Sequence, residues 1–456
     1  MKENNFQYKH TSKINWLSQI PIHWCEVRLG SLFNERKSKV SDIDYPPLSV
    51  TKNGIVPQLE NAAKSNDGDN RKLVLNGDFV INSRSDRKGS SGLSRLDGSV
   101  SLINIVLRPI ENIDPKFFEY LLKSYFFKEE YYRYGRGIVE DLWTTRYSEM
   151  KNMIVPKPPF EEQTAIARFL DYKLAKINRF IQKKKQLIKL LNEQKAAIIN
   201  QAVTKGLDPN AKMKDSGIEW LGEIPEHWEV RKLKYSVRLN SHTSFENQES
   251  ENTKIALENI ESKTGRILEL SQNAFEGIGT IFKKGDVLFG KLRPYLAKVA
   301  TPIFEGNCVN EILVFTPDNR IWNHEYLKYR ILASDFISLV DNSTYGSKMP
   351  RASWSFIGSI KLSSPLLSEQ HQIVSFIEQE TATINTTISK IEKELALTEE
   401  YKTALIAEAV TGKIDVRGYE VPEISEEETY EEIGDPDSYR DSMAAENEEE
   451  YQTVEE

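Results

Sequence analysis

Cysteine is nearly absent from this 456-residue chain. Two residues, Cys25 and Cys308, are too few for a disulfide framework or a four-cysteine zinc site. Runs of 18 or more apolar residues are also missing, which excludes a membrane-spanning helix. The opening MKENNFQYKH is polar and lacks the apolar stretch of a signal peptide. There is no Gly-x4-Gly-Lys-Ser/Thr phosphate loop. What remains is a multidomain chain, expected in the cytoplasm, with 39% hydrophobic residues to build its cores.

Basic charge is in slight deficit, with 60 Lys+Arg against 68 Asp+Glu and a net charge of −8. That balance argues against a nucleic-acid partner only if it is evenly spread, and it is not. Residues 420–456 hold 16 acidic residues and one basic residue, Arg440, so this tail stands at −15 and leaves +7 for residues 1–419. The tail has few large apolar residues and no periodicity. It is expected to be disordered and solubilising, because it buries too little surface to offset chain entropy.

The rest of the chain is an internal repeat. The segment Ile14-Asn-Trp-Leu-Ser-Gln-Ile-Pro-Ile-His-Trp24 returns as Ile218-Glu-Trp-Leu-Gly-Glu-Ile-Pro-Glu-His-Trp228, with both tryptophans kept. Further on, Gly77-Asp78 matches Gly285-Asp286, and Tyr134-Gly135 matches Tyr345-Gly346. Pro158-Pro159-Phe-Glu-Glu162-Gln163 matches Pro365-Leu-Leu-Ser-Glu369-Gln370, and Ala202-Val-Thr matches Ala409-Val-Thr. The offset stays between 204 and 211, so a whole unit of roughly 200 residues is duplicated.

Each copy divides in two. The first part (1–155 and 214–362) mixes short apolar runs after Gly-Asp, which read as strands, with helical stretches such as PKFFEYLLKSYFFKEEYY and HEYLKYRILASDFISLV. The predicted fold of these parts is mixed α/β. The second part (156–213 and 363–419) reads as one long helix. No proline or glycine interrupts 162–204 or 369–411, and Gly206 and Gly412 follow as stop signals. Seven-residue series run through both: Leu170, Ile177, Lys184, Leu191, Ile198 with Leu174, Ile181, Ile188, Lys195, and Ile377, Ile384, Ile391, Thr398, Leu405 with Thr381, Ile388, Leu395, Lys402. Such a seam makes a coiled coil of about 65 Å. Residues 176–205 carry +7 and the matching 383–412 carry −2, which favours pairing of the two helices within one chain. An antiparallel pair is the simplest arrangement for two similar halves.

Catalytic patterns fail on inspection. Pro156-Lys157-Pro158-Pro159-Phe160 has Lys157 where an amino-methyltransferase loop needs Asn or Asp to hold the amine. Pro317-Asp318 with Glu325 and Lys328 has the wrong spacing for a nuclease strand. His23 and His227 have no second metal ligand nearby and read as packed structural histidines.

The duplicated Trp-Leu-x-x-Ile-Pro-x-His-Trp and Pro-Pro-x-x-Glu-Gln-x-x-Ile motifs resemble those of the specificity subunits of type I restriction–modification systems. The resemblance covers residues 10–419. It implies a non-catalytic subunit with two target recognition domains (1–155 and 214–362), each reading half of a split double-stranded DNA sequence. Two conserved helices (156–213 and 363–419) set the half-site separation. It also implies two methyltransferase subunits and restriction/translocase subunits as partners, which bring S-adenosylmethionine, ATP and Mg; this chain needs no cofactor, metal or membrane. Pro158, Pro159, Glu162, Gln163, Ile166, Pro365, Glu369, Gln370 and Ile373 carry the motif and are expected in partner binding or scaffolding, with Leu366 a departure at the second proline. For DNA, the basic loops after each Gly-Asp strand supply Arg84, Arg87, Lys88, Lys291 and Arg293, and the loops before each last strand supply Arg136, Arg146, Lys348 and Arg351. The competing readings are a protein-only coiled-coil scaffold, or the recognition subunit of another phage-defence complex.

Overall fold

The computed structural model describes residues 7–59, 68–110, 113–137, 143–243, 253–268, 270, 275, 277–344 and 349–422. Lys348, the Tyr345-Gly346 pair and nearly all of the acidic tail lie outside the described residues. Within them the α-helices are α1 Pro115–Lys123, α2 Tyr125–Arg133, α3 Tyr147–Met150, α4 Phe160–Lys205, α5 His324–Leu332, α6 Ser334–Asn342, α7 Trp354–Ile357 and α8 Leu367–Val410. No helix among the described residues is long and apolar enough to cross a membrane. The chain forms two compact units, Met1–Gln182 with Leu395–Glu456, and Lys183–Glu394.

The first unit centres on a four-stranded antiparallel sheet ordered Ser91–Leu93, Phe79–Asn82, Asn104–Pro109, Phe33–Glu35. A three-stranded sheet (Gly98–Val100, Arg71–Val74, Lys39–Val40) packs on one side. Alternation along the strands decides which core each residue joins. Phe79 and Ile81 enter the large core with α1 and α2, while Val80 and Val106 enter a smaller core with Val74 and Val100. Because both faces are covered, Phe79–Asn82 is buried throughout and its apolar run is continuous rather than alternating.

The second unit repeats the order of the four-stranded sheet, while its three-stranded sheet differs, with Gly306–Cys308 at the centre between Thr253–Ile255 and Thr280–Phe282. Its four-stranded sheet is ordered Val237–Asn240, Ile312–Pro317, Val287–Gly290, Val299–Ala300. Phe289 and Phe315 face the helices, and Leu288 and Val314 face the smaller sheet. One difference separates sequence from structure. Each long helical stretch is broken once, at Ser124 and at Ala333, by an extended residue. Ser124 also accepts from the Phe127 amide, so the break caps the next helix.

Each Gly-Asp pair is a turn that launches a central strand. Gly77 and Gly285 both sit at φ +91°, open to glycine and costly for other residues. Asp78 and Asp286 are buried and accept from the amides of Leu75 and Lys283, closing the turn.

The long helices follow the seven-residue series closely. Every position of both seams, including Lys184, Lys195 and Lys402, is buried or half-buried. The pairing is antiparallel. In the second unit Lys184 Nζ lies 2.8 Å from the Glu394 carboxylate, and Lys195 Nζ donates to Asn385 Oδ1 at 2.9 Å, so numbers fall on α8 as they rise on α4. In the first unit Leu170 and Leu174 share a core with Leu405, Ala409 and Val410, the same direction. Lys184 therefore interrupts the apolar seam but is matched by an acid on the facing helix. Lys195 has its pKa lowered, chiefly by burial.

Candidate nucleic-acid interface

The repeated motifs form a clamp that joins each α/β domain to the start of a long helix. Glu162 sits in the first turn of α4. Its Oε1 accepts from Trp24 Nε1 at 3.1 Å, and its Oε2 lies 2.8 Å from His23 Nε2. Gln163 Oε1 accepts from the Asp114 amide at 2.8 Å, while its Nε2 donates to the Pro158 carbonyl. Asp114 in turn caps α1. The second unit repeats every bond: Glu369 holds His227 at 2.7 Å and Trp228 at 3.1 Å. Gln370 accepts from the Asn323 amide at 2.8 Å, and Asn323 caps α5. Leu366 changes nothing in this scheme, since its carbonyl accepts from Glu369 and Gln370 as that of Pro159 does from Glu162 and Gln163.

Glu162, Gln163, Gln370, Ile166 and Ile373 are buried in their own units, as are Pro158 and Pro365, with Glu369 half-buried and Pro159 exposed. Their side chains thus serve to seat a domain on a helix. Both histidines belong to the clamp, in keeping with the structural reading of their motif.

The cationic candidates divide into groups. In the first domain backbone bridges join Arg84 and Arg136 to Thr144, so the loop after the Gly-Asp strand meets the loop before the last strand. Beside this junction lies a groove of about 560 Å³ lined by Arg84, Arg146, Lys37, Lys72 and Lys151, with Glu35 its one acid. Arg146 and Arg136 are exposed and Arg84 is half-buried. The Glu149 carboxyl is held below its usual range, first by the Ser148 hydroxyl, with Arg136 and Arg146 adding to it. Arg87 and Lys88 are exposed but do not line the groove; Lys88 pairs with Glu129 on α2 at 2.7 Å.

The second domain brings its loops together in the same way. Leu292 bridges Arg351, the Arg293 amide donates to Pro350, and the Ala352 amide donates to Lys291. Lys291, Arg293 and Arg351 therefore lie on adjoining loops, with Arg351 held against Glu311 at 3.2 Å. Arg293 lies at φ +50°, left-handed for a non-glycine residue, a conformation that collects at functional loops. The sequence reading missed Lys37, Lys72 and Lys151. They lie on three separate segments, Lys37 after Arg36, Lys72 after Arg71 and Lys151 on its own, and only the fold gathers them.

Comparison with known proteins shows what the chain is similar to. The family described as "Type I restriction modification DNA specificity domain" matches residues 225–396. The chain is 22% identical over 422 residues to the type I restriction enzyme EcoDI specificity subunit of Escherichia coli, covering 87% of this chain and 90% of that protein. It is 25% identical over 448 residues to the MjaVIII specificity subunit of Methanocaldococcus jannaschii, covering 91% and 97%. Residues 225–396 thus match a type I DNA specificity domain, and over most of its length the chain is similar to type I specificity subunits. A chain of a solved type I restriction–modification system aligns with a TM-score of 0.60 at 14% identity, over 87% of this chain and 99% of that one, which shows the shared fold. The half outside the matched residues, 1–224, carries the same order in its four-stranded sheet, the same helix break and the same clamp, so the resemblance extends to both copies.

Proposed function

We propose that this chain reads a split double-stranded DNA sequence in the cytoplasm, one half per recognition domain, and scaffolds the catalytic subunits of a type I enzyme. In this reading residues 1–155 and 214–362 are the recognition domains. Residues 156–213 and 363–419 form the spacer and carry surfaces for two methyltransferase subunits and for restriction/translocase subunits. Those partners supply S-adenosylmethionine, ATP and Mg, and this chain supplies no chemistry. The observation that carries the reading is the twice-built pair of basic loops, joined by backbone bridges at the same point of two equivalent sheets. Phosphates are held by Arg and Lys around such a face, and bases are read by what lies between them. A coiled coil with no DNA role needs the helices and the clamp but not these loops.

Replacing Arg84 and Arg146 together by alanine tests this. Both line the groove, and neither belongs to a core. Loss of two phosphate contacts lowers affinity for a cognate duplex roughly 10- to 100-fold at moderate salt and flattens the log–log salt slope by about 2. Titration of labelled duplex at three salt concentrations reads both. An unchanged slope removes the groove from the interface, and a wild-type complex that shifts no duplex at all favours the protein-only scaffold.

A further inference from the structure

The groove of the first domain carries two apolar side chains that no core requires. Leu102 and Ile103 are 42% and 45% exposed and line it beside Arg84 and Arg146. They occupy the turn between strands Gly98–Val100 and Asn104–Pro109. The Asn104 amide closes the turn onto the Ser101 carbonyl, and the Ser83 hydroxyl donates to the Ile103 carbonyl. The backbone is thus pinned next to Arg84 while the side chains stand in solvent.

The turn at the same place in the second domain lies between Gly306–Cys308 and Ile312–Pro317. It is anchored likewise, with the Lys291 amide donating to the Glu311 carbonyl at 2.9 Å. Its side chains are different in kind. Asn310 is exposed, and Glu311 holds the Arg351 guanidinium. One anchored turn, flanked by cations in both domains, therefore displays leucine and isoleucine in one copy and an amide in the other.

We infer that this turn is the base-reading tip of each recognition domain, with Leu102 and Ile103 taking thymine methyl groups and Asn310 taking an adenine. The inference rests on the DNA-reading function proposed above. Its chemistry follows from the major-groove edges. The thymine methyl is their one apolar feature, and an asparagine amide matches adenine N6 and N7 as a bidentate pair. The surrounding Arg84, Arg146, Lys37 and Lys151 give the apolar tip its polyanionic neighbour, since an apolar ligand gains nothing from a ring of cations. Glu311 is a positioning residue, which keeps Arg351 beside the tip.

The test uses the full-length chain assembled with its methyltransferase subunits, selecting from a randomised duplex library whose bound fraction is sequenced. The exchange Leu102→Asn with Ile103→Glu is expected to abolish thymine preference in one half-site, by roughly tenfold per position, and leave the other half unchanged. Asn310→Leu is expected to do the reverse, costing an adenine in the other half. Unmodified protein is also expected to lose roughly tenfold in affinity when deoxyuridine replaces thymidine in the first half-site alone, a readout that needs no variant. Failure of the unmodified complex to select any split motif sinks the parent function. A split motif that survives both exchanges and the uracil duplex unchanged overturns this inference alone. If the double exchange unfolds the domain, Leu102→Ala and Ile103→Ala decide, because truncation at exposed positions removes no core contact; retained thymine preference overturns the inference.

Discussion

Replacing Glu162 by alanine is expected to cost the first unit about 3 kcal/mol, while the same change at Glu369 costs the second unit about half as much. The two glutamates make the same bonds in sequence-equivalent places, so the difference is one of solvent. The Glu162 side chain is 6% exposed and His23 33%, against 24% for Glu369 and 56% for His227. When the Glu162 carboxylate is removed, the indole N–H of buried Trp24 loses its acceptor with no water to replace it. An orphaned buried donor costs about 1–3 kcal/mol, and the lost charge-assisted bond to His23 adds to it. At Glu369 water reaches the vacated space and repairs part of the loss. Glu162→Gln keeps one acceptor and is expected to fall between. Because the chain has two units, a single melting temperature averages them. Hydrogen exchange of the 19–28 and 223–232 segments separates them. Equal loss of protection in both units would mean that burial does not set the worth of the clamp.

That clamp shows how far the sequence could be read. The duplication, the paired long helices and the mixed α/β class were legible as patterns in the sequence, whereas the antiparallel direction was only the simplest arrangement and is given by the Lys184–Glu394 and Lys195–Asn385 contacts. Heptads report a seam, glycine at 206 and 412 reports an end, and a rare Trp-Leu-x-x-Ile-Pro-x-His-Trp reports itself. The purpose of the motifs was not legible. Trp24 and Glu162 are 138 residues apart, and nothing local says that the Glu162 carboxylate accepts a hydrogen bond from the Trp24 indole. The same limit applies to the interface. Arg84 and Arg146 were chosen as members of basic loops, but Lys37, Lys72 and Lys151 come from separate segments that only the sheet assembles. Leu102 and Ile103 were invisible for the opposite reason. Ahead of a buried strand, an apolar pair reads as core, and its exposure is a property of the turn. The helix breaks at Ser124 and Ala333 were hidden because apolar spacing continues across them.

Gly412→Ala is expected to destabilise the first unit by about 3 kcal/mol, and Gly206→Ala the second by about 1 kcal/mol. Both glycines end a long helix at φ +77°, so alanine pays a similar backbone cost at either, about 1 kcal/mol. Only one of them also meets a wall. A Cβ on Gly412 would stand 2.5 Å from Pro21 Cγ and 3.0 Å from Trp24 Cη2, whereas a Cβ on Gly206 meets nothing closer than 3.4 Å, the Glu369 carboxylate. Pro21 and Trp24 are buried and rigid, so they cannot yield by rotating, and overpacking adds about 1–3 kcal/mol. The Tyr8 hydroxyl donates to the Gly412 carbonyl at 3.1 Å, so a displaced turn loses that bond as well. Urea unfolding followed by exchange of the Tyr8–His10 and Gln19–Pro21 strands reads the first effect, and exchange of Met213–Asp215 and Glu223–Pro225 the second. The asymmetry makes the test specific. If the two alanine variants lose the same stability, backbone conformation alone accounts for both glycines. If only Gly412→Ala loosens its strands, the end of α8 is seated against the Pro-x-His-Trp motif, and that contact together with Glu162 fixes the first α/β domain to both helices of its unit.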